Sequence, residues 1–228
     1  MSVNITARAS IATTMLATLV AGCLAAAPAA TAPLPAPAFD PPAQGVQTAV
    51  LSGGCFWGVQ GVFEHVKGVR KVWAGYDGGK QATAQYELVS TGTTGHAESV
   101  QIEYDPAQIS YGEILRIFFS VATDPTEVNR QFPDVGTQYR SEIFYRDGAQ
   151  KAVAERYIAQ LGQARAYSHP IATRVDPDSG FFKAEGYHQD YLVHHPDQPY
   201  IATYDMPKVS RLKAEFPTVW RQAPNLAL

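Results

Sequence analysis

Two hydrophobic periods organise the chain from residue 48 onward. Residues 48–51 form a short β-prone run that stops at Ser52-Gly53-Gly54. Beyond that turn Phe56, Val59, Val62, Phe63 and Val66 recur every three or four positions, the apolar stripe of an amphipathic helix. Residues 69–76 and 99–104 alternate as half-buried strands do, and Gly78-Gly79 marks the turn after the first. A helical period returns over 111–121 through Ile114, Leu115 and Phe118. A strand at 140–145 and an alanine-rich helix at 149–161 follow. Residues 173–175 and 181–184 are shorter strand candidates, and Asp176-Pro177-Asp178 reads as a turn. Residues 207–220 read as a short amphipathic helix carrying Val209, Leu212 and Phe216. The order β-α-β-β-α-β predicts an α+β fold: a two-layer sandwich of mixed sheet and helices with a ferredoxin-like core and a long coil C-terminal region.

The pattern before residue 48 is different. Arg8 is the only charge in the first 39 residues, and it precedes an apolar run over 11–21. That run is well short of the ~20 residues a membrane-spanning helix needs, so 1–22 reads as a secretory signal peptide. Val20-Ala21-Gly22-Cys23 resembles a bacterial lipobox, in which the cysteine thiol is lipidated. A simple signal cut among the alanines that follow is the alternative. Residues 23–47 are Ala, Pro and small residues with one charge, Asp40, a composition that suits an extended spacer. The organisation expected is thus signal 1–22, linker 23–47 and one domain 48–228. Its destination is outside the cytoplasm of a bacterium, either periplasmic or anchored to a membrane through Cys23.

Composition narrows the function. A hydrophobic fraction of 46 % against 17 % charged residues supports a real core and excludes a wholly disordered chain. A formal charge of −3 gives no electrostatic ground for nucleic-acid binding. With only two cysteines, Cys23 and Cys55, neither a disulfide framework nor a cysteine-rich zinc site is available, and no metal is expected.

Cys55 sits where a strand passes through a glycine turn into a helix. The first N–H groups of a helix lack intrahelical partners, and the macrodipole favours an anion there, so a thiol at that point ionises more readily. The effect is small: ~0.3–1 kcal/mol lowers a thiol from ~8.5 to about 8. A buried structural cysteine is the competing reading. Gly54 and Gly58 on either side favour close backbone approach, and with it a nucleophile.

Gly54-Cys55-Phe56-Trp57-Gly58 resembles the signature of the peptide methionine sulfoxide reductase A family. Further blocks follow in the family's order: Tyr86-Glu87-Leu88-Val89 with Gly92-Thr93-Thr94-Gly95-His96-Ala97-Glu98; Asp124-Pro125-Thr126 with Asn129-Arg130-Gln131 and 134–141; and 184–192 around Gly186-Tyr187-His188-Gln189. The resemblance implies that Cys55 is the nucleophile and Glu98 the acid. Tyr86 and Tyr139 would donate hydrogen bonds to the sulfoxide oxygen, and Asp134 would support them. Phe56 and Trp57 would box the substrate methyl, with His188 beside the pocket. The chemistry needs such a set, because bare oxide cannot leave sulfur: the oxygen must be protonated by a positioned acid, whose pKa an apolar pocket has to raise. Thiolate with neutral acid, sharing one negative charge, is the productive pair expected. The S epimer of methionine sulfoxide, in proteins and free, is the implied substrate, and a sulfenic acid on Cys55 the implied product.

The sequence also departs from the family. Many members carry further cysteines near the carboxyl end, whereas no cysteine follows Cys55 here. An external thiol, a thioredoxin-like protein or a small thiol, is therefore expected to reduce Cys55, with no bound cofactor and the protein acting as a monomer. Ala84-Gln85 precedes Tyr86, and Thr123 precedes Asp124, where the family usually has Pro-Thr and His. Rival readings are a thiol hydrolase or acyl transferase pairing Cys55 with His96 or His188, and a non-catalytic surface lipoprotein. His194-His195 reads as surface, since adjacent helical residues do not face one site.

Overall fold

The apolar alternation seen in the sequence pairs into one six-stranded sheet. In the computed structural model, which describes Met1, Ser2 and residues 34–228, β1 (Gln47–Gly53) leads into α1 (Phe56–Glu64) and β2 (Val69–Asp77). The short α2 (Tyr86–Val89), β3 (Ala97–Tyr104) and α3 (Tyr111–Ile117) follow, the last widening into a π-type turn over Phe118–Ala122. A small hairpin, β4 (Arg130–Gln131) and β5 (Asp134–Val135), precedes β6 (Ser141–Tyr145), α4 (Gly148–Gln163), β7 (Arg174–Pro177) and β8 (Phe182–Lys183). Then come α5 (Tyr191–His194) and α6 (Met206–Glu215). The signal-peptide and lipobox readings, Cys23 included, lie outside the described residues. No described helix is long and apolar enough to cross a membrane.

The strand order is β7-β6-β1-β3-β2-β8. β3 is inserted between β1 and β2 and antiparallel to both, while β6 pairs antiparallel with the other edge of β1. That is the split β-α-β arrangement of a ferredoxin-like core, so the expected fold is met. β7 adds in parallel to β6, which makes the sheet mixed. Register decides which face is buried. Leu51 lies opposite Val100 and Ile143, and Val72 opposite Ile102, all with no solvent exposure. Against this face pack the α1 stripe, Ile114 and Leu115 of α3, and Val153, Ala154 and Tyr157 of α4. Side chains alternate faces along a strand, so Glu98 shares the face of Val100 and Ile102. A carboxyl is thereby placed under the start of α1.

Two segments depart from the sequence reading. Asp176-Pro177 belongs to a strand rather than a turn. β7 is an edge strand, where proline's missing N–H removes no ladder bond. The end of the composition-defined linker is also part of the domain. Arg116 Nε donates to the Leu34 carbonyl at 2.6 Å, Tyr157 Oη to that of Pro35 at 2.8 Å, and Gly112 N to Asp40 Oδ1 at 3.0 Å. Gln160 bonds both the Ala36 carbonyl and the Ala38 N–H. An Ala/Pro segment cannot build a core, but helix side chains supply partners for its free backbone groups.

Candidate active site

The turn before α1 fixes the nucleophile. Gly54 has φ +93, and a Cβ there would lie 2.5 Å from Cβ of Gln131, so both conformation and space demand glycine. Cys55 then occupies the N-cap with φ −51 and ψ 121. Its side chain makes no capping hydrogen bond, while the Phe56 N–H donates to Glu98 Oε2 at 3.0 Å. One of the orphan donors that open the helix is thus spent on the carboxyl.

Cys55 and Glu98 line one cavity of about 190 Å³. Phe56 and Trp57 form its apolar wall, Tyr86, Tyr139 and Tyr200 bring three phenols, and Asp134 comes from β5. Every residue assigned from the resemblance except His188 is in that lining. His188 stands behind the wall: Trp57 Nε1 donates to its Nδ1 at 3.2 Å, and its ring lies 5.0 Å from Phe56 and 4.4 Å from Tyr86. Stacking of Trp57 on Tyr191 at 4.0 Å fixes the indole from the other side. His96 does not line the cavity, and its Nε2 meets the Lys80 carbonyl at 3.1 Å. Neither histidine is placed as base for an acyl-transfer thiol. Wider clefts exist, one of about 400 Å³ beside Phe119 and Arg211, but no cysteine lines it.

Burial governs the charges. Glu98 is 3 % exposed, and loss of solvent pushes its carboxyl up to about 8. The Phe56 N–H opposes this, while Asp134 and Asp205 add to it. At pH 7 such a group is roughly nine-tenths protonated. Cys55, 8 % exposed, moves the same way: burial raises its thiol well above the ordinary value, the charges of Glu98 and Asp205 raise it further, and the Trp57 N–H and Lys208 pull it down. Here the sequence expectation is corrected. The helix terminus does favour the thiolate, but a dipole effect below one unit is outweighed by desolvation and two neighbouring carboxyls. The resting pair carries both protons. Burial likewise raises Tyr86 and Tyr139, which remain donors.

Sequence reasoning missed Tyr200, Asp205 and Lys208. The Tyr200 hydroxyl donates to Asp134 Oδ2 across the cavity. Asp205 is fully buried beneath α1, with Oδ1 accepting from Lys208 Nζ at 3.1 Å. A Cβ at Gly58 would lie 2.0 Å from that same Oδ1, so this glycine admits the carboxylate. Tyr200 and Asp205 belong to the stretch before α6, which carries no periodic pattern and none of the motif blocks, and Lys208 is a polar position of the amphipathic helix read over 207–220. His194 and His195 are exposed, and among the described residues no three potential metal ligands converge.

With this geometry in place, known proteins give a consistent comparison. The family model for peptide methionine sulfoxide reductase matches residues 47–219. The peptide methionine sulfoxide reductase MsrA 2 of Mesorhizobium japonicum is 53 % identical over 186 residues, covering 82 % of this chain and 95 % of that relative. Among solved structures, Mxr1 of Saccharomyces cerevisiae in its reduced form superposes with a TM-score of 0.60 at 31 % identity, over 67 % of this chain and 87 % of that one. Methionine sulfoxide reductase A of Corynebacterium diphtheriae does so with 0.56 at 32 % identity, over 67 % and 76 %.

Proposed function

The chain belongs to the peptide methionine sulfoxide reductase A family, and on that premise we propose that it works through Cys55 as its one redox sulfur, with Glu98 as proton relay. It is an oxidoreductase that reduces methionine sulfoxide. The observation that carries the mechanism is a buried thiol and a carboxyl raised to about 8 in one small cavity with an apolar wall.

The sulfoxide oxygen takes a proton from Glu98 while Tyr86 and Tyr139 donate hydrogen bonds to it. Cys55 sulfur attacks the sulfoxide sulfur, and its own proton passes to the Glu98 carboxylate. The oxygen then transfers from the substrate sulfur to Cys55 sulfur: the substrate's sulfur–oxygen bond and the transient sulfur–sulfur bond break, a Cys55 sulfur–oxygen bond forms, and methionine leaves a sulfenic acid behind. Substrate sulfur gains two electrons and Cys55 sulfur loses two. Because both groups start protonated, no net charge enters the cavity, and Glu98 ends as it began. Phe56 and Trp57 hold the methyl group and select the S epimer. Asp134, held by Tyr200, orients the phenolic side of the pocket.

Recovery uses an external thiol, thioredoxin-like or small. It attacks the sulfenic sulfur, water departs, and a second thiol resolves the mixed disulfide to restore Cys55. Residues 1–22 support export, and the Cys23 context supports a lipid anchor, so the repair of oxidised proteins outside the cytoplasm is the role proposed. The test is turnover with a dithiol on separated epimers, free and peptide-bound. The S epimer should be consumed and the R epimer spared, with Cys55→Ser inactive. Comparable consumption of the R epimer would overturn the pocket assignment.

A further inference from the structure

The cavity accommodates a side chain only, and methionine sulfoxide hangs from its backbone by two methylenes. Whatever polypeptide presents it must lie across the mouth. Chain ends aside, the large apolar side chains left exposed among the described residues are Val46, Leu88, Val128, Phe132, Val135 and Tyr187. Half of them lie within two residues of a pocket residue: Phe132 and Val135 stand either side of Asp134 in the β4–β5 hairpin, and Leu88 follows Tyr86 on α2; Tyr187 precedes His188, which backs the pocket wall. Phe132 is 68 % and Val135 71 % exposed. An unbroken aromatic track joins this rim to the pocket wall. Trp57 meets Tyr200 edge-on at 6.2 Å, Tyr200 meets Tyr204 at 5.1 Å, and Tyr204 meets Phe132 at 5.8 Å.

Apolar side chains concentrated at one rim, when they could have been polar at little cost, mark an interaction surface. We propose that the ledge formed by Phe132 and Tyr204, with the exposed Val135 on the same hairpin, docks the polypeptide beside the oxidised methionine, taking an apolar or aromatic neighbouring side chain. The occupant is the substrate chain rather than the reductant, because the ledge continues directly from the wall against which the substrate side chain rests. The inference builds on the sulfoxide-reductase reading and assigns it a substrate class: methionine sulfoxide flanked by hydrophobic residues, as in segments normally buried in a folded protein.

The experiment compares reduced wild type with Phe132→Ser and, separately, Val135→Ser, in single turnover without reductant. The substrates are N-acetyl methionine sulfoxide amide and two peptides that flank the sulfoxide with Phe/Leu or with Gly. Wild type should favour the Phe/Leu peptide over the Gly peptide by ~10-fold in half-saturating concentration, which corresponds to burying roughly 55 Å² of apolar surface at about 25 cal/mol/Å². Either substitution should erase most of that preference and leave the limiting rate and the small substrate unchanged. Equal loss on all three substrates would mean the hairpin had moved Asp134, and would overturn the proposal if both variants showed it. Unchanged peptide preference, or an effect confined to the concentration dependence on added dithiol or thioredoxin, would also overturn it. Failure of wild type to reduce any of the substrates would instead refute the reductase reading itself.

Discussion

Replacing Glu98 by glutamine isolates proton delivery from everything else this side chain does. The amide keeps the carboxyl's shape, retains an oxygen to accept the Phe56 N–H now held at 3.0 Å, and still donates a hydrogen bond into the cavity. It cannot release a proton. With the wild-type carboxyl raised to about 8, roughly nine molecules in ten hold the acid form at pH 7, so almost the whole population loses its relay on substitution. General acid catalysis contributes ~10²–10⁴-fold, and the loss should fall in that range. The assay is rapid-quench measurement of methionine formed by reduced enzyme in a single turnover, which excludes the reductant's own steps. Its pH dependence adds a second signature. The competent pair is doubly protonated, so the wild-type rate should be level below about 8 and fall as pH rises through that value. Glu98→Gln should be slow throughout and lack that fall. A single-turnover rate equal to wild type, or an unchanged alkaline limb, would refute the relay.

Other outcomes follow from the same structure. Asp205→Asn removes a buried negative charge that raises the Cys55 thiol while leaving Lys208 in place, so alkylation by iodoacetamide should become faster at a given pH; Lys208→Met should slow it. Glu64 is fully buried with neither carboxyl oxygen hydrogen-bonded by the usual geometry, and burial with Asp190 nearby raises it to about 9. The native state therefore binds more protons than the unfolded state between about 4.5 and about 9, and stability falls as pH rises through that window. Glu64→Gln should raise Tm, most of all at the alkaline end, and a variant with a lower Tm there would contradict this. If Cys23 carries a lipid, Cys23→Ala should move the protein from the membrane fraction to the soluble one, and unchanged partitioning would exclude the anchor.

The site was legible where chemistry is local in sequence. A strand, two glycines and a helical stripe placed Cys55 at a helix start, whereas Glu98 was named by the family resemblance alone, and its parity with Val100 and Ile102 shows only because β3 begins at Ala97 rather than at 99. Direction of ionisation was not legible, because the dipole is a property of the segment whereas burial and the Asp205 charge come from the far end of the chain. Tyr200 and Asp205 were missed for a related reason: they sit in irregular turns at 201–205 and just before, where no period reveals which way a side chain points. Residues 34–40 show the converse, a composition that predicts spacer yet packs because Tyr157, Gln160 and Arg116 of α4 and α3 reach out to its backbone.

The transfer of oxygen to a single sulfur is tested most directly by stoichiometry without reductant. Reduced enzyme mixed with excess S epimer should yield about one methionine per protein and a mass gain of one oxygen on Cys55 that reacts with a sulfenic-acid probe. Continued methionine formation beyond one equivalent, an oxidised residue elsewhere, or an unmodified Cys55 after methionine has formed would contradict it.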